Sequence, residues 1–286
     1  MQGIYKRILL ATFGSMGLLA GCANPATPSD SNTGSSLNTS LDWSEQVRTM
    51  GIKGELAAWE ELDWKETLLL KNEVGNIEVF AGTDDKMTVH ATIWALNNDS
   101  GKAILQNLLE QAEISVNVKG SQMEIATRSK EDNKVDLWTW AEKKYGNSKF
   151  SIDYKVELPA AVTNYEISTG VGEIHLSKLS GTYSINNNVG AITIEEGQVR
   201  GKSSVKSEAG SIRLGINQMD KGSSLRATTD VGSLTAKLPG SLAYSLKTET
   251  DLGRITGAAK GKSDINGGGP LLTLISSVGS ITVENE

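Results

Sequence analysis

Aromatic residues make up only 5% of this 286-residue chain, and proline occurs just 5 times. A thick conventional core is poorly supplied by such a composition, so a narrow, repetitive interior suits it better. Positive charge is also scarce, with 28 Lys and Arg against 34 Asp and Glu. That balance argues against nucleic acid as a partner, because phosphate binding needs a basic face. The 2 histidines are His90 and His175. The alternation around each predicts a solvated surface position, and no HExxH, P-loop or dinucleotide fingerprint accompanies them. What the chain does have is glycine, 30 residues of it.

The single cysteine, Cys22, stands at the end of "MQGIYKRILLATFGSMGLLAGC". Lys6 and Arg7 form a positive start, and the apolar run Ile8 to Ala20 is too short and glycine-rich for a good membrane span. The closing "LAGC" resembles the lipobox of bacterial lipoproteins. The resemblance implies lipidation of the Cys22 thiol, removal of residues 1–21, and a membrane held by acyl chains at ~0.8 kcal/mol per buried methylene. Processing would leave 26 basic against 34 acidic residues, a net charge of −8. It would leave no free thiol, which excludes disulfides, zinc–thiolate sites and cysteine nucleophiles. Residues 22–41 are small and polar and read as a flexible tether. The stretch 42–66, with Trp43, Trp59 and Trp64 among acids, is expected to be short helical or irregular structure.

From Leu68 onward one phrase recurs: "EVGNIEV" at 73–79, "GVGEIHL" at 170–176, "NVGAITI" at 188–194, "EAGSIRL" at 208–214, "DVGSLTA" at 230–236, "DLGRITG" at 251–257 and "SVGSITV" at 277–283. Position zero, the residue before the glycine, is Val74, Val171, Val189, Ala209, Val231, Leu252 or Val278. Apolar residues recur at −6, −4, zero, +3 and +5. This is the period-two signature of a strand with one buried face, and it predicts an inward zero column. The alternation skips a beat at the glycine, so the chain must bend or bulge there. Gly75, Gly172, Gly190, Gly210, Gly232, Gly253 and Gly279 are therefore the expected corners, glycine being free to take φ > 0.

The last 6 corners are 18, 20, 22, 21 and 26 residues apart. That spacing predicts a β-solenoid of about 20-residue coils over residues 161–286, each coil stacked on the one before. Position −2 is always small and hydrogen-bonding: Asn72, Thr169, Asn187, Ser207, Thr229, Thr250 and Ser276. Its inward parity predicts a polar seam, bonded either to its neighbour or to the corner backbone. Residues 67–160 hold the first coil and an insert: a strand at 86–95, a helix at 100–113 opened by Asp99 or Ser100, a hairpin at 114–127 turning at Gly120, and a strand at 150–160. The insert reads as an N-terminal α+β cap over an open solenoid end. The expected class is all-β dominated.

The opening "LLLKNEVGNIEV", the insert, a strand ending in "VELP" and the serial "VGxI" coils together resemble a family of bacterial surface β-solenoids. These are catalogued as adhesins by inference, a domain of unknown function. The resemblance covers roughly residues 66–286 and implies a non-enzymatic surface role in the cell envelope, with no catalytic residues to carry over.

Two clusters are candidates for chemistry. Glu208, Asp230 and Asp251 precede position zero on three successive coils, facing outward ~4.8 Å apart. They are either a solvated face relieved by Arg254 and Lys206 or a Ca²⁺ site. Trp138, Trp140 and Tyr145 in "VDLWTWAEKKYGN" either stack on sugar rings, as alternate residues of a strand, or pack over the solenoid end or the membrane surface. Three functions fit: a lipid-anchored adhesin or scaffold binding a wall polysaccharide or envelope protein, an envelope-stress sensor, and a polysaccharide-active β-helix enzyme. The first is favoured, because no groove of acids and bases is visible.

Overall fold

The computed structural model describes residue 47 and residues 49–61, 67–83 and 85–285. Cys22, the tether, Trp43 and Trp64 lie outside the described residues. The chain is all-β dominated, and the 20 strands among the described residues form one large sheet that does not close into a barrel. The N-terminal elements are β1 (Ile52–Glu61), β2 (Thr67–Val74), β3 (Ile77–Ala81), β4 (Lys86–Ala95), α1 (Asp99–Gln111), β5 (Ala112–Lys119), β6 (Gln122–Ser129), α2 (Leu137–Tyr145) and β7 (Phe150–Leu158). The repeats supply β8 (Asn164–Val171), β9 (Ile174–Ser177), β10 (Ser180–Val189), β11 (Ile192–Val199), β12 (Lys202–Ala209), β13 (Ile212–Met219) and β14 (Ser224–Val231). The chain ends in β15 (Leu234–Leu238), β16 (Tyr244–Leu252), β17 (Ile255–Thr256), β18 (Gly261–Ile265), β19 (Leu271–Val278) and β20 (Ile281–Asn285).

Each repeated phrase joins one strand before its corner to one strand after it; the pair is called a rung here. The strands before the corners form a leading ladder in the order β5-β6-β2-β8-β10-β12-β14-β19-β16-β18. Those after the corners form a trailing ladder, β1-β4-β7-β3-β9-β11-β13-β15-β20-β17. Rungs pair in parallel with like columns opposed: Ile167 with Ile185, Ile185 with Val205, Val205 with Ala227. The −6, −4, +3 and +5 columns are buried, except Ile255 and Gly257 on the last rung. Tyr165 and Tyr183 meet in the −6 column with ring centroids 5.4 Å apart. Each fully buried Leu, Ile or Val contributes about 1.5–3 kcal/mol, so stability accumulates rung by rung.

The expected stacking order fails at the last two rungs. β14 pairs with β19, and β19 pairs in turn with β16. The rung of Gly279 is therefore inserted between those of Gly232 and Gly253. The cause lies in the longest interval among the last six corners: it contains β18, a hairpin strand antiparallel to the outer edge of β16. From there the chain crosses back to the inner edge of β16. Because every rung carries the same columns, the inserted rung meets both neighbours equally well.

At the other end the insert extends both ladders, mostly through antiparallel pairs. Of the stretch 42–66, expected to be helical or irregular, residues 47, 49 and 50 are helical, but Ile52–Glu61 is corrected to a strand, β1, which pairs with all ten residues of β4. Its apolar residues Ile52, Leu56 and Ala58 pack on the core, and Gly54 makes room for Leu109 of α1. In α1, Leu105 and Leu108 are buried, and Asn98 rather than Asp99 or Ser100 supplies the cap, accepting from the Gly101 N–H at 2.7 Å. The strand expected through Trp138 and Trp140 is a helix. Asp136 caps it by accepting from the Thr139 N–H at 2.8 Å, and Gly146 ends it at φ 68.

Candidate functional site

The corner begins with the seam. Every −2 side chain turns inward, and six of the seven donate to the carbonyl of the corner glycine on the adjacent rung. Thr169 reaches Gly75 at 3.3 Å, Asn187 reaches Gly172 at 2.8 Å, Ser207 reaches Gly190 at 3.3 Å and Thr229 reaches Gly210 at 2.9 Å. Ser276 then reaches Gly232 at 2.9 Å and Thr250 reaches Gly279 at 3.0 Å. On the first rung Asn72 donates to Ile152 of β7 at 2.8 Å, so the cap continues the pattern. Of the two expected partners, the corner backbone is the one used.

The seam explains the glycines. At every corner a Cβ would collide with the backbone of the adjacent rung: at Gly172 with the Gly75 carbonyl, at Gly190 with that of Gly172, at Gly210 with that of Gly190, and at Gly232 with that of Gly210. Gly279 lies against Gly232, Gly253 against Gly279, and Gly75 against Ile152. Positive φ contributes at Gly75, Gly172, Gly190, Gly232 and Gly279, with values of 130–155°, but Gly210 and Gly253 lie outside that region. Close approach between rungs is the requirement common to all seven.

With the glycine on the inner track, the two residues before it both point outward. The skipped beat falls at −1 and zero, not at +1 and +2. This corrects the expected inward zero column. Val74, Val171 and Val189 are half-buried, Ala209 is exposed, and Val231, Val278 and Leu252 are 57%, 45% and 69% exposed. The seven make an apolar ridge along the corner, most open where Val231, Val278 and Leu252 lie on successive rungs. The −1 column runs beside it and carries Glu73, Glu208, Asp230 and Asp251.

The rung order also separates the three acids expected on successive coils. Glu208 and Asp230 occupy neighbouring rungs, but Ser277 stands between Asp230 and Asp251. Among the described residues no group of three or more His, Cys, Asp or Glu is arranged to hold a metal ion. Lys206 lies 3.9 Å from Glu208, whereas no ion pair joins Arg254 to Asp251. The expectation that the three acids lie on successive rungs is therefore corrected: Glu208 and Asp230 do, and Asp251 stands one rung further on.

Trp138 and Trp140 are 8% and 6% exposed, which removes them as an open sugar platform. Trp138 stacks on Phe150 with centroids 5.4 Å apart and an interplanar angle of 12°. Trp140 meets Tyr145 edge-on at 5.6 Å and donates its indole N–H to Glu131 at 3.2 Å. Lys144 binds the same carboxylate at 2.8 Å and lies over the Trp140 ring at 4.7 Å. This hydrogen bond holds the Glu131 carboxyl below its usual range and the Lys144 ammonium above its own. Two residues apart on a helix, the indoles leave on opposite flanks, and α2 is covered on both sides, so both are packed into the protein as in the packing alternative. Among the described residues the arrangement is a packed plug in the cap.

His90 is exposed on β4, and His175 lies 3.2 Å from Glu195 across adjacent rungs. An open cleft above Gly215 is lined by Glu195, Glu196 and Lys237. Each of these is paired with a neighbour: Glu196 with Lys178 at 4.0 Å and Lys237 with Glu284 at 3.3 Å. No nucleophile stands beside a free base there. Among the described residues no helix is long and apolar enough to cross a membrane.

No family model matches the chain, and neither does any curated protein. Several solved structures resemble it, among them the following two. One is a "putative cell adhesion protein" from Clostridium sporogenes, 15% identical, with a TM-score of 0.43 over 81% of this chain and 100% of the other. The second is a "putative adhesin" from Bacteroides fragilis, 14% identical, with a TM-score of 0.40 over 80% of this chain and 96% of the other.

Proposed function

We propose that this chain is a non-enzymatic surface protein of the cell envelope, anchored by lipid at Cys22, whose rungs form a β-solenoid that displays the corner ridge to a partner. The observation that carries the reading is the ridge itself. An apolar residue occupies position zero in all seven phrases, and at Val231, Val278 and Leu252 it faces water. Scattered exposed apolar residues need no explanation, but a continuous exposed row marks an interaction surface. The seam and the inner columns already hold the rungs together, so stacking does not require valine outside.

The acidic column beside the ridge narrows the partner. An anionic lipid surface or acidic wall polymer would be repelled by Glu208, Asp230 and Asp251, and the buried indoles offer sugars no platform. The complementary partner is an envelope protein whose segment carries apolar side chains flanked by Lys or Arg. The resemblance of "LAGC" to a lipobox supports the anchor, which would concentrate the ridge at the membrane.

Replacing Val231, Val278 and Leu252 together with Ser tests the ridge. Recovery of partners from detergent-solubilised envelope should fall at least tenfold, with the unfolding midpoint little changed. Equal recovery would remove the ridge from the account. Cys22→Ser tests the anchor separately, by shifting the protein out of the membrane fraction.

A further inference from the structure

The inserted rung has a consequence for how two copies of this chain meet. β19 and β20 are held on both edges by main-chain ladders, to β14 and β15 on one side and to β16 and β17 on the other. The contacts are generic. Leu272, Leu274 and Ser276 meet Leu225, Ala227 and Thr229 on one edge and Leu246, Thr248 and Thr250 on the other. The corner of Gly279 fits between Gly232 and Gly253, the Gly232 carbonyl accepting the Ser276 hydroxyl and the Gly279 carbonyl accepting that of Thr250. Nothing in the slot distinguishes the chain's own rung from the same rung of another copy.

The slot can also empty without leaving the interior open. β16 carries the columns that β14 already accepts from β19. With the inserted rung gone, Leu246, Thr248 and Thr250 would face Leu225, Ala227 and Thr229 in unchanged register. Thr250 would then donate to Gly232 as Ser276 now does.

The connection into the rung is built to open. Asn266, Gly267, Gly268 and Gly269 have φ of 51, 89, 76 and 155°, and Pro270 follows. Three consecutive glycines move between turn and extended conformations with little steric cost. Pro270 has no N–H to leave unpaired and favours an extended residue before it. The turn is fastened by Asn266, which donates to the carbonyls of Gly240 at 2.8 Å and Leu242 at 2.9 Å.

We propose that Leu271–Asn285 is an exchangeable rung and that its second partner is another copy of this chain. In the exchanged pair each copy's β19 and β20 fill the other's slot, and every rung interface of the single copy is remade between the two. Such exchange conserves contacts, so it needs no new surface.

The test uses Ser224→Cys with Leu271→Cys, a pair opposed between β14 and β19, in a chain carrying Cys22→Ser. Two preparations of different tag length are mixed at high concentration, held in mild denaturant, returned to buffer and oxidised. Exchange predicts a covalent species joining one long and one short chain, with a yield that rises with concentration. Shortening the hinge by Gly267 and Gly268 should shift the population to dimer. Intramolecular disulfides alone at every concentration would overturn the proposal, whatever the hinge-shortened variant does.

Discussion

Ser276 donates its hydroxyl to the carbonyl of Gly232 at 2.9 Å across a sequence separation of 44 residues. The Gly232 N–H in turn donates to Val278 at 2.9 Å. The same pair of bonds, seam to corner carbonyl and corner N–H to position zero, recurs at the other rung contacts. Gly190, for example, donates to Ala209 and receives Ser207. The corner is thus a reciprocal clamp, and its parts can be removed one at a time.

Gly210 separates close approach from φ. Its φ lies outside the left-handed region, yet a Cβ there would strike the Gly190 carbonyl. Gly222 has a φ of 82° and open space around its Cβ position. Gly222→Ala should cost about 1 kcal/mol of local strain. Gly210→Ala should cost more than ~2 kcal/mol, because two backbones must part. Urea unfolding of the two variants checks the order.

Thr229→Val keeps the shape of the seam and removes its donor. The Gly210 carbonyl then loses its side-chain partner in a buried setting, and stability should fall by about 1–3 kcal/mol. Thr229→Ser keeps the donor and should recover most of the loss. Equal unfolding midpoints for Val and Ser would mean that the seam bonds contribute nothing.

Much of this was legible in the sequence, and the misses have physical causes. The −6, −4, +3 and +5 columns and the seam follow from period-two alternation, which survives any stacking order. The zero column reads as inward from the sequence because an inward position −2 and an inward position +3 allow two placements of the skipped beat. Only the glycine decides, since a residue without a Cβ belongs on the crowded inner track. The swapped final rungs left one trace, the long interval between Gly253 and Gly279, which no column could interpret because all rungs match. Trp138 and Trp140 read as alternate strand residues until the Asp136 cap and the Gly146 stop are recognised as helix ends.

Burial of the indoles carries its own expectation. Trp138→Ala should destabilise the cap by about 3–5 kcal/mol, the usual cost of emptying a buried aromatic site. Binding of neutral wall glycans should not change in any variant that remains folded. Calorimetry with glycan fragments, alongside thermal unfolding, reads both effects.

Alkaline pH reaches the interior through tyrosine. Burial pushes the Tyr154 and Tyr165 phenols up to about 12 from an ordinary value near 10, and pushes the Tyr183 phenol up as well. The phenols of the unfolded chain ionise first, so above pH ~10 the unfolded state binds fewer protons and stability falls as pH rises. The loss should run from about pH 10 through about 12, with little pH dependence from these groups below it. Tyr154→Phe should flatten that limb by one group's share, at a cost of about 1 kcal/mol at neutral pH for the lost bond with Thr127, 2.7 Å away. Unfolding midpoints at pH 8, 10 and 11 separate the two effects.

The order of the rungs is most directly tested by cross-linking Thr228. Its partner in β19 is Ile275, whose partner in β16 is Glu249. Neighbouring rungs stand ~4.8 Å apart, within disulfide reach, and alternate rungs about twice that, beyond it. With Cys22 replaced by Ser, Thr228→Cys with Ile275→Cys should oxidise readily within one chain, and Thr228→Cys with Glu249→Cys should stay reduced. Ready oxidation of the second pair and not the first would mean that the rungs stack in sequence order, contrary to the structure described.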